Sequence, residues 1–106
     1  MESVLFEKEP PLGWIVLNRP EKRNALSLEM MQAIASKLDE AAEDREIRVL
    51  VIRGNGPIFS AGHDLEEIAG REKKTSHFRR IFSVCSEMML RLHRLPQPVI
   101  AQVHGI

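Results

Sequence analysis

Alternating stretches of apolar and polar residues predict four strands along this chain. Val4–Glu7 and Trp14–Asn18 have strand-forming composition and flank the turn sequence Pro10–Gly13, which predicts a β-hairpin. Val49–Ile52 and Val99–Val103 are apolar throughout, a pattern typical of strands that are buried on both faces. We therefore expect a hairpin followed by two buried strands, of which Val49–Ile52 is central in the sheet.

Apolar residues that recur every three or four positions predict two amphipathic helices, over Ser27–Asp44 and Ser76–Leu95. Ser27 and Ser76 are the predicted N-caps, Pro96 ends the second helix, and the charged stretch Arg71–Thr75 predicts a loop. The apolar face of the first helix comprises Leu28, Met31, Ala35, Leu38 and Ala42. That of the second comprises Phe78, Ile81, Phe82, Cys85, Met88, Met89 and Leu92.

The element order is therefore β-β-α-β-α-β, an α/β pattern that requires parallel crossovers. A doubly wound sheet is the default architecture for such an order when only the pattern is considered.

Composition excludes several classes of partner. The chain has 106 residues, with 15 basic and 15 acidic side chains and no net charge, so it lacks the basic surface that nucleic acids or acidic membranes would attract. The single cysteine, Cys85, excludes an internal disulfide and is predicted to pack in the helix. No apolar run has membrane-spanning length, and the charged first residues do not resemble a signal peptide. We therefore expect a cytoplasmic protein.

The most informative segment follows the third strand. Gly54–Pro57 predicts a turn, Ile58–Ser60 a second extended piece, and Asp64 the cap of a short helix over Leu65–Ala69. The small residues before this cap leave backbone N–H groups uncovered, and such groups can bind an anion or a developing oxyanion. The same residues also fit an ordinary strand-to-helix turn, and the pattern alone leaves both interpretations open.

Three segments, in matching order and spacing, resemble the crotonase family of enoyl-CoA hydratases and isomerases. Phe59–Leu65 resembles its central motif, Leu17–Ser27 the loop after its early hairpin, and Pro96–Gly105 the strand before its second glycine-rich loop. The His-Asp form of the central motif is most similar to the branch of enoyl-CoA hydratase domain-containing proteins. The resemblance implies the crotonase/ClpP-like spiral of ββα turns. Because family members are longer, we expect residues 1–106 to be its N-terminal part, ending before the second oxyanion-hole loop.

The resemblance also implies a site. It assigns the backbone N–H of Ala61 as an oxyanion-hole donor, acting with a second N–H from the later glycine-rich loop. A plain packing role for small residues at this turn is the alternative. The residues that it implies for substrate binding are Arg23, Ala25, Leu26, Ala61, Gly62, His63, Asp64 and Leu65. Lys22 or Arg23 is a candidate for a phosphate contact, with a solvent-exposed basic loop as the alternative.

His63 and Asp64 are not expected to form an acid–base pair, because adjacent residues on a turn rarely face each other. We expect Asp64 to cap the short helix and His63 to line the ligand pocket. No spacing of metal ligands links the four histidines, so no metal is predicted.

The resulting hypothesis is 2-enoyl-CoA hydration in acyl-CoA metabolism, with an enoyl-CoA isomerase as an alternative. A CoA-ester binding protein without catalytic carboxylates is a second alternative. A serine peptidase is set aside, because no Gly-x-Ser-x-Gly elbow surrounds Ser60. The expected partner is an acyl-CoA substrate, with no separate cofactor because coenzyme A is part of that substrate. The resemblance further implies a homotrimer or hexamer. The family's acid–base carboxylates cannot be assigned within this chain.

Overall fold

A computed structural model describes residues 2–69 and 75–105 of the chain. It confirms an α/β fold with the predicted order of strands and long helices. The strands are β1 (Val4–Glu9), β2 (Leu12–Leu17), β3 (Val49–Gly54) and β4 (Val99–Ala101). The helices are α1 (Leu28–Glu43), α2 (Leu65–Ile68) and α3 (Thr75–Arg94), and a short 3₁₀ turn occupies Pro20–Lys22.

The four strands form one mixed sheet in the order β1-β2-β3-β4. The hairpin strands β1 and β2 are antiparallel, whereas β2, β3 and β4 are parallel to one another. Strands that are consecutive in the sequence are neighbours in the sheet, and the two parallel crossover connections have the same handedness. Helices α1 and α3 therefore cover the same face of the sheet. A doubly wound sheet needs the strand order to reverse, so that default is wrong here.

Both hairpin strands reach closer to the turn than the sequence predicts, so the turn between them contains only Pro10 and Pro11. Its tip is fixed by the Lys8 ammonium, which lies 2.9 Å from an Asp44 carboxylate oxygen and 3.3 Å from one of Glu46. The hydrogen bond between Lys8 and Asp44 raises the pKa of Lys8 and lowers that of Asp44. The hairpin tip is thereby attached to the end of α1.

Helix α1 begins as predicted but presents a different face. The Ser27 hydroxyl accepts a hydrogen bond from the Met30 N–H at 3.1 Å, which confirms the cap. Ala42 is exposed and Ala35 only half-buried, so the predicted stripe is partly wrong. The face that packs on the sheet consists of Met30, Met31, Ile34, Leu38 and Ala41.

Helix α3 is less buried than its apolar pattern predicts. The structure describes it over Thr75–Arg94, so Ser76 lies within the helix and is not its N-cap. Of the predicted face, only Ile81 and Met88 are buried, whereas Phe82 and Met89 are 49% and 54% exposed. The rest of the predicted charged loop, residues 71–74, lies outside the described residues.

Strand β4 also departs from the prediction of a buried strand over Val99–Val103. It is shorter, and within the described residues it pairs only with β3. Ile100 is 53% exposed and Val103 68% exposed, because no other element of the described chain covers that face of the strand. Ile58–Ser60, predicted as an extended piece, forms no strand. None of the described helices is long and apolar enough to cross a membrane.

We expect the 106-residue chain, expressed by itself, to bind hydrophobic dyes and to self-associate, because its edge strand carries exposed apolar side chains. An Ile100→Lys variant should bind less dye and associate less, as measured by dye fluorescence and sedimentation velocity. Ser86→Lys places the same charge on an exposed position of α3 and is the control. A wild-type chain that unfolds cooperatively as a monomer without binding dye would contradict this expectation.

Candidate active site

The candidate site forms where the loop before α1 meets the loop after β3. Leu26 and His63 form an isolated parallel bridge, in which the Leu26 N–H donates to the Gly62 carbonyl at 2.7 Å and the Asp64 N–H to the Leu26 carbonyl at 2.9 Å. The Ala61 N–H donates to the Arg23 carbonyl at 3.0 Å. The two loops are therefore joined along their length by backbone hydrogen bonds.

Asn24 clamps the same two loops from inside. It is fully buried, the one buried polar residue among those described, and its φ of 52° is a left-handed conformation that asparagine tolerates. Its Nδ2 lies 2.9, 3.2 and 3.0 Å from the carbonyl oxygens of Asn55, Ile58 and Phe59. Its Oδ1 accepts the Arg19 N–H at 2.7 Å. Asn24 belongs to the Leu17–Ser27 loop, which resembles the family's loop, but its clamping role was not predicted. The only sequence feature that could have indicated this role is a polar residue type that allows positive φ.

The lack of a side chain at Gly54 makes room for the Asn24 carboxamide. A Cβ at this position would collide with the Phe59 carbonyl oxygen and lie 2.9 Å from Asn24 Nδ2. The end of β3, the following loop and the Asn24 side chain therefore converge at a point that only glycine leaves open.

Ser60 adds a hydroxyl link between the loops. Its Oγ donates to the Asn24 carbonyl at 2.8 Å and accepts the Gly62 N–H at 3.1 Å. Ser60 therefore connects the buried clamp to the glycine of the central motif.

The backbone amides of the motif bear on the predicted oxyanion donor. The Ala61 N–H is bonded to the Arg23 carbonyl, and the Gly62 and Asp64 N–H groups also have partners. In a parallel bridge, both hydrogen bonds to the partner come from the flanking residues, so the bridged residue directs its own N–H to the other side. No described residue accepts a hydrogen bond from the N–H groups of Ser60, His63 or Leu65. Of these three amides, only that of His63 lies between the two hydrogen bonds of the bridge.

Two clefts flank Ala61. A cleft of about 200 Å³ is lined by Lys22, Ala25, Ala61, His63, Asp64, Leu65 and Glu66. A wider cleft of about 500 Å³ is lined by Arg23, Pro57, Ile58, Ser60, Ala61 and Gly105. Six of the eight residues predicted to bind substrate thus line a cleft, whereas Leu26 and Gly62 are joined by a hydrogen bond of the bridge between the loops. A groove of about 660 Å³ between α1 and α3 lies away from both loops.

Asp64 is a structural residue in this geometry. Its Oδ1 accepts the N–H groups of Glu66 at 3.1 Å and Glu67 at 3.3 Å, which confirms the predicted cap of α2. Its Oδ2 lies 3.2 Å from Nη1 of Arg19, a partner that sequence analysis missed. Because both carboxylate oxygens are engaged, Asp64 is poorly suited to proton transfer.

The His63 ring lies at the wall of the smaller cleft, where it meets α3. It packs edge-on against Phe82, with ring centroids 5.7 Å apart, and its buried Nδ1 has no hydrogen-bond partner among the described residues. The described residues contain no group of three or more His, Cys, Asp or Glu side chains placed to hold a metal ion.

Comparison with known proteins identifies the lineage of this site. Residues 12–106 match the enoyl-CoA hydratase/isomerase family. The chain is 42% identical over 102 residues to the mitochondrial enoyl-CoA hydratase domain-containing protein 3 of Danio rerio, covering 96% of this chain and 35% of that protein. It is 40% identical over 92 residues to the human protein of the same name, covering 87% and 30%. The chain thus spans about a third of these relatives.

Solved structures agree with the sequence relatives. An enoyl-CoA hydratase from Mycobacterium smegmatis superposes with a TM-score of 0.92 at 38% identity, covering 99% of this chain and 41% of that one. The human enoyl-CoA hydratase domain-containing protein 3 superposes with a TM-score of 0.90 at 34% identity, covering 98% and 41%. The predicted crotonase fold is therefore confirmed for the part that this chain spans.

The predicted cytoplasmic location is wrong. The vertebrate relatives from fish, frog, rodents and human all bear names that place them in mitochondria. The prediction relied on the lack of a signal-peptide pattern and on a single cysteine, and neither property distinguishes one reducing compartment from another.

Two glycines of the site should respond differently to alanine. Gly54→Ala should lower the free energy of unfolding by about 3 kcal/mol or more, because the new methyl group displaces the Phe59 carbonyl and the Asn24 clamp. Gly62→Ala meets no atom within 4 Å, and only its φ of +89° opposes the change, so about 1 kcal/mol is expected. Urea denaturation of the full-length protein measures the free energy of unfolding of both variants. Equal losses would contradict the role of Gly54 in making room for Asn24.

Proposed function

The chain belongs to the enoyl-CoA hydratase/isomerase family, and from this premise we propose that its protein acts on acyl-CoA thioesters. The open His63 amide carries this proposal. It has no partner among the described residues, it is the bridged amide held between the hydrogen bonds of Gly62 and Asp64, and it belongs to a residue that lines a cleft.

The proposed role of this amide is to donate a hydrogen bond to the thioester carbonyl oxygen. When that carbonyl becomes an enolate, negative charge moves onto the oxygen, and a fixed N–H dipole stabilises the charge without having to reorient. The bridge to Leu26 and the bonds on either side of His63 supply this fixed orientation. This arrangement replaces the sequence-based assignment of the donor to Ala61.

The coenzyme A moiety is proposed to lie along the loop before α1. Arg23 lines the wider cleft and Lys22 the smaller one, so both cations flank Ala61 on the side of the bridged loops. Lys22 has Glu66 as an ion-pair partner at 3.8 Å, which makes Arg23 the better candidate for a phosphate contact. Coenzyme A enters as part of the substrate, and no separate cofactor is proposed.

Hydration of a 2-enoyl thioester is the proposed reaction. Water adds its hydroxyl group to C3, C2 gains a proton, and the enolate that forms in between is the species held at the His63 amide. One relative is the 2,3-dehydroadipyl-CoA hydratase of Escherichia coli, 31% identical, and another is the trans-2-decenoyl-[acyl-carrier-protein] isomerase of Streptococcus mutans, 29% identical. Isomerisation, which moves a proton between C2 and C4 through a dienolate whose oxygen the same amide would hold, is the second candidate.

The alternative without chemistry is a CoA-ester binding protein. It would bind enoyl-CoA and its product equally well and turn over neither. Two substrates given to the full-length protein separate the three candidates. A hydratase removes the conjugated absorbance of crotonyl-CoA, and an isomerase creates that absorbance from 3-hexenoyl-CoA. A binding protein changes neither. The trimeric or hexameric assembly implied by the family stays a prediction.

His63→Pro tests the amide directly, because proline lacks the N–H but leaves the chain in place. We expect kcat with the active substrate to fall by about 100- to 1,000-fold, the loss typical for one oxyanion-hole donor. His63→Ala keeps the N–H and is the matched control, which should retain most of the activity. Stopped assays with both enoyl-CoA substrates measure the rates.

Circular dichroism and urea denaturation must show that the proline variant is folded. A folded His63→Pro protein with near-normal kcat would contradict the role of this amide. If His63→Ala loses as much activity as His63→Pro, the imidazole rather than the backbone is the functional group.

Arg23→Gln tests the position of the coenzyme A moiety. We expect the KM for crotonyl-CoA to rise about tenfold, because one hydrogen bond to a charged phosphate is lost. The KM for crotonyl-pantetheine, which has no nucleotide, should stay unchanged. Arg45→Gln removes an exposed cation from the loop between α1 and β3 and is the control. Equal changes for the two substrates would place Arg23 elsewhere than beside a phosphate.

A further inference from the structure

The Ser60 hydroxyl occupies an unusual position in the hydrogen-bond network of the site. The Gly62 N–H can only donate, so Ser60 Oγ accepts that bond at 3.1 Å. The hydroxyl proton is therefore left for the Asn24 carbonyl, 2.8 Å away. With its proton so committed, Ser60 is a link between two backbone groups.

One end of this link is rigid. Asn24 is fully buried, and its carboxamide lies within hydrogen-bond distance of three carbonyl oxygens and the Arg19 N–H. Its backbone N–H donates in addition to the Arg19 carbonyl at 2.9 Å. The Asn24 carbonyl that receives the Ser60 hydroxyl is thus held by the interior of the protein.

The other end is held by hydrogen bonds at a residue that has no side chain. Gly62 has a φ of +89°, and nothing lies within 4 Å of the point where a Cβ would stand. Glycine also has the widest choice of backbone conformations. Two hydrogen bonds oppose that freedom at Gly62: its N–H donates to Ser60 and its carbonyl accepts the Leu26 N–H.

The peptide bond after Gly62 carries the His63 N–H, the bridged amide of a residue that lines the smaller cleft. Rotation about the Gly62 backbone would reorient this N–H. We propose that Ser60 is a positioning residue, whose hydroxyl transmits the rigidity of the Asn24 clamp to the Gly62–His63 peptide. The consequence for turnover rests on the proposed function, whereas the geometric role does not.

The kinetic test compares kcat and KM of Ser60→Ala and Ser60→Thr in the full-length protein. The alanine variant should lose about 10- to 100-fold in kcat, as expected for a displaced catalytic group, with little change in KM. Threonine keeps the hydroxyl and should restore most of the rate. Ser83→Ala removes an exposed serine hydroxyl of α3, outside both clefts, and should leave kcat unchanged.

A spectroscopic measurement reports on the carbonyl itself. A thioester labelled with carbon-13 at its carbonyl should show an infrared band shifted to lower frequency when bound to the wild type, because a directed N–H polarises the bond. In Ser60→Ala the band should move back toward its frequency in water. A merely structural loss of stability would not move the band of the bound ligand. A band that stays at the wild-type frequency in Ser60→Ala would overturn the proposal.

Amide hydrogen exchange separates this proposal from the proposed function. The Gly62 amide should exchange faster in Ser60→Ala than in the wild type and Ser60→Thr, with or without ligand. If the wild type neither turns over nor polarises an acyl-CoA, the proposed function fails, and the exchange rates still decide whether Ser60 holds the peptide. Unchanged exchange at Gly62 in Ser60→Ala would refute the positioning role.

Discussion

The buried carboxamide of Asn24 is the interaction on which the rest of the site depends. The segment after β3 forms no strand, so its carbonyl groups have no sheet partners, and buried carbonyls without partners are costly. A single side chain that reaches the Asn55, Ile58 and Phe59 carbonyls solves this problem for the whole segment. Gly54 is small enough to admit that side chain. Asn24 and Gly54 together therefore determine where the following motif lies.

Features decided by nearby residues were predictable from the sequence. The Ser27 and Asp64 caps depend on side chains within a few positions of the amides that they satisfy, and the hairpin depends on a turn between two strands. The exposure of the outer side of α3 was not predictable, because apolar residues alone do not tell which neighbour covers them. The one-sided placement of the helices follows from strand order, which the element pattern leaves open.

The candidate site shows the same division. The central motif pointed to a segment at two clefts, which six of the eight predicted residues line. Which amide of the motif is left open could not be read from the sequence, because it depends on the register between Leu26 and His63, two residues far apart in the chain. A shift of one residue in that bridge would exchange the amides that face inward and outward, and no local pattern encodes such a register.

Arg23 and Asn24 both have positive φ, at 55° and 52°, so two adjacent non-glycine residues are held in a strained conformation. Together with the backbone bond from Ala61 to Arg23, this means that the loop loses its conformational entropy when the protein folds and not when a ligand arrives. Association at this surface then resembles the docking of a ligand onto a nearly rigid wall. Ligand affinity there is set by how well a molecule matches a fixed shape, not by how far the loop adapts to it.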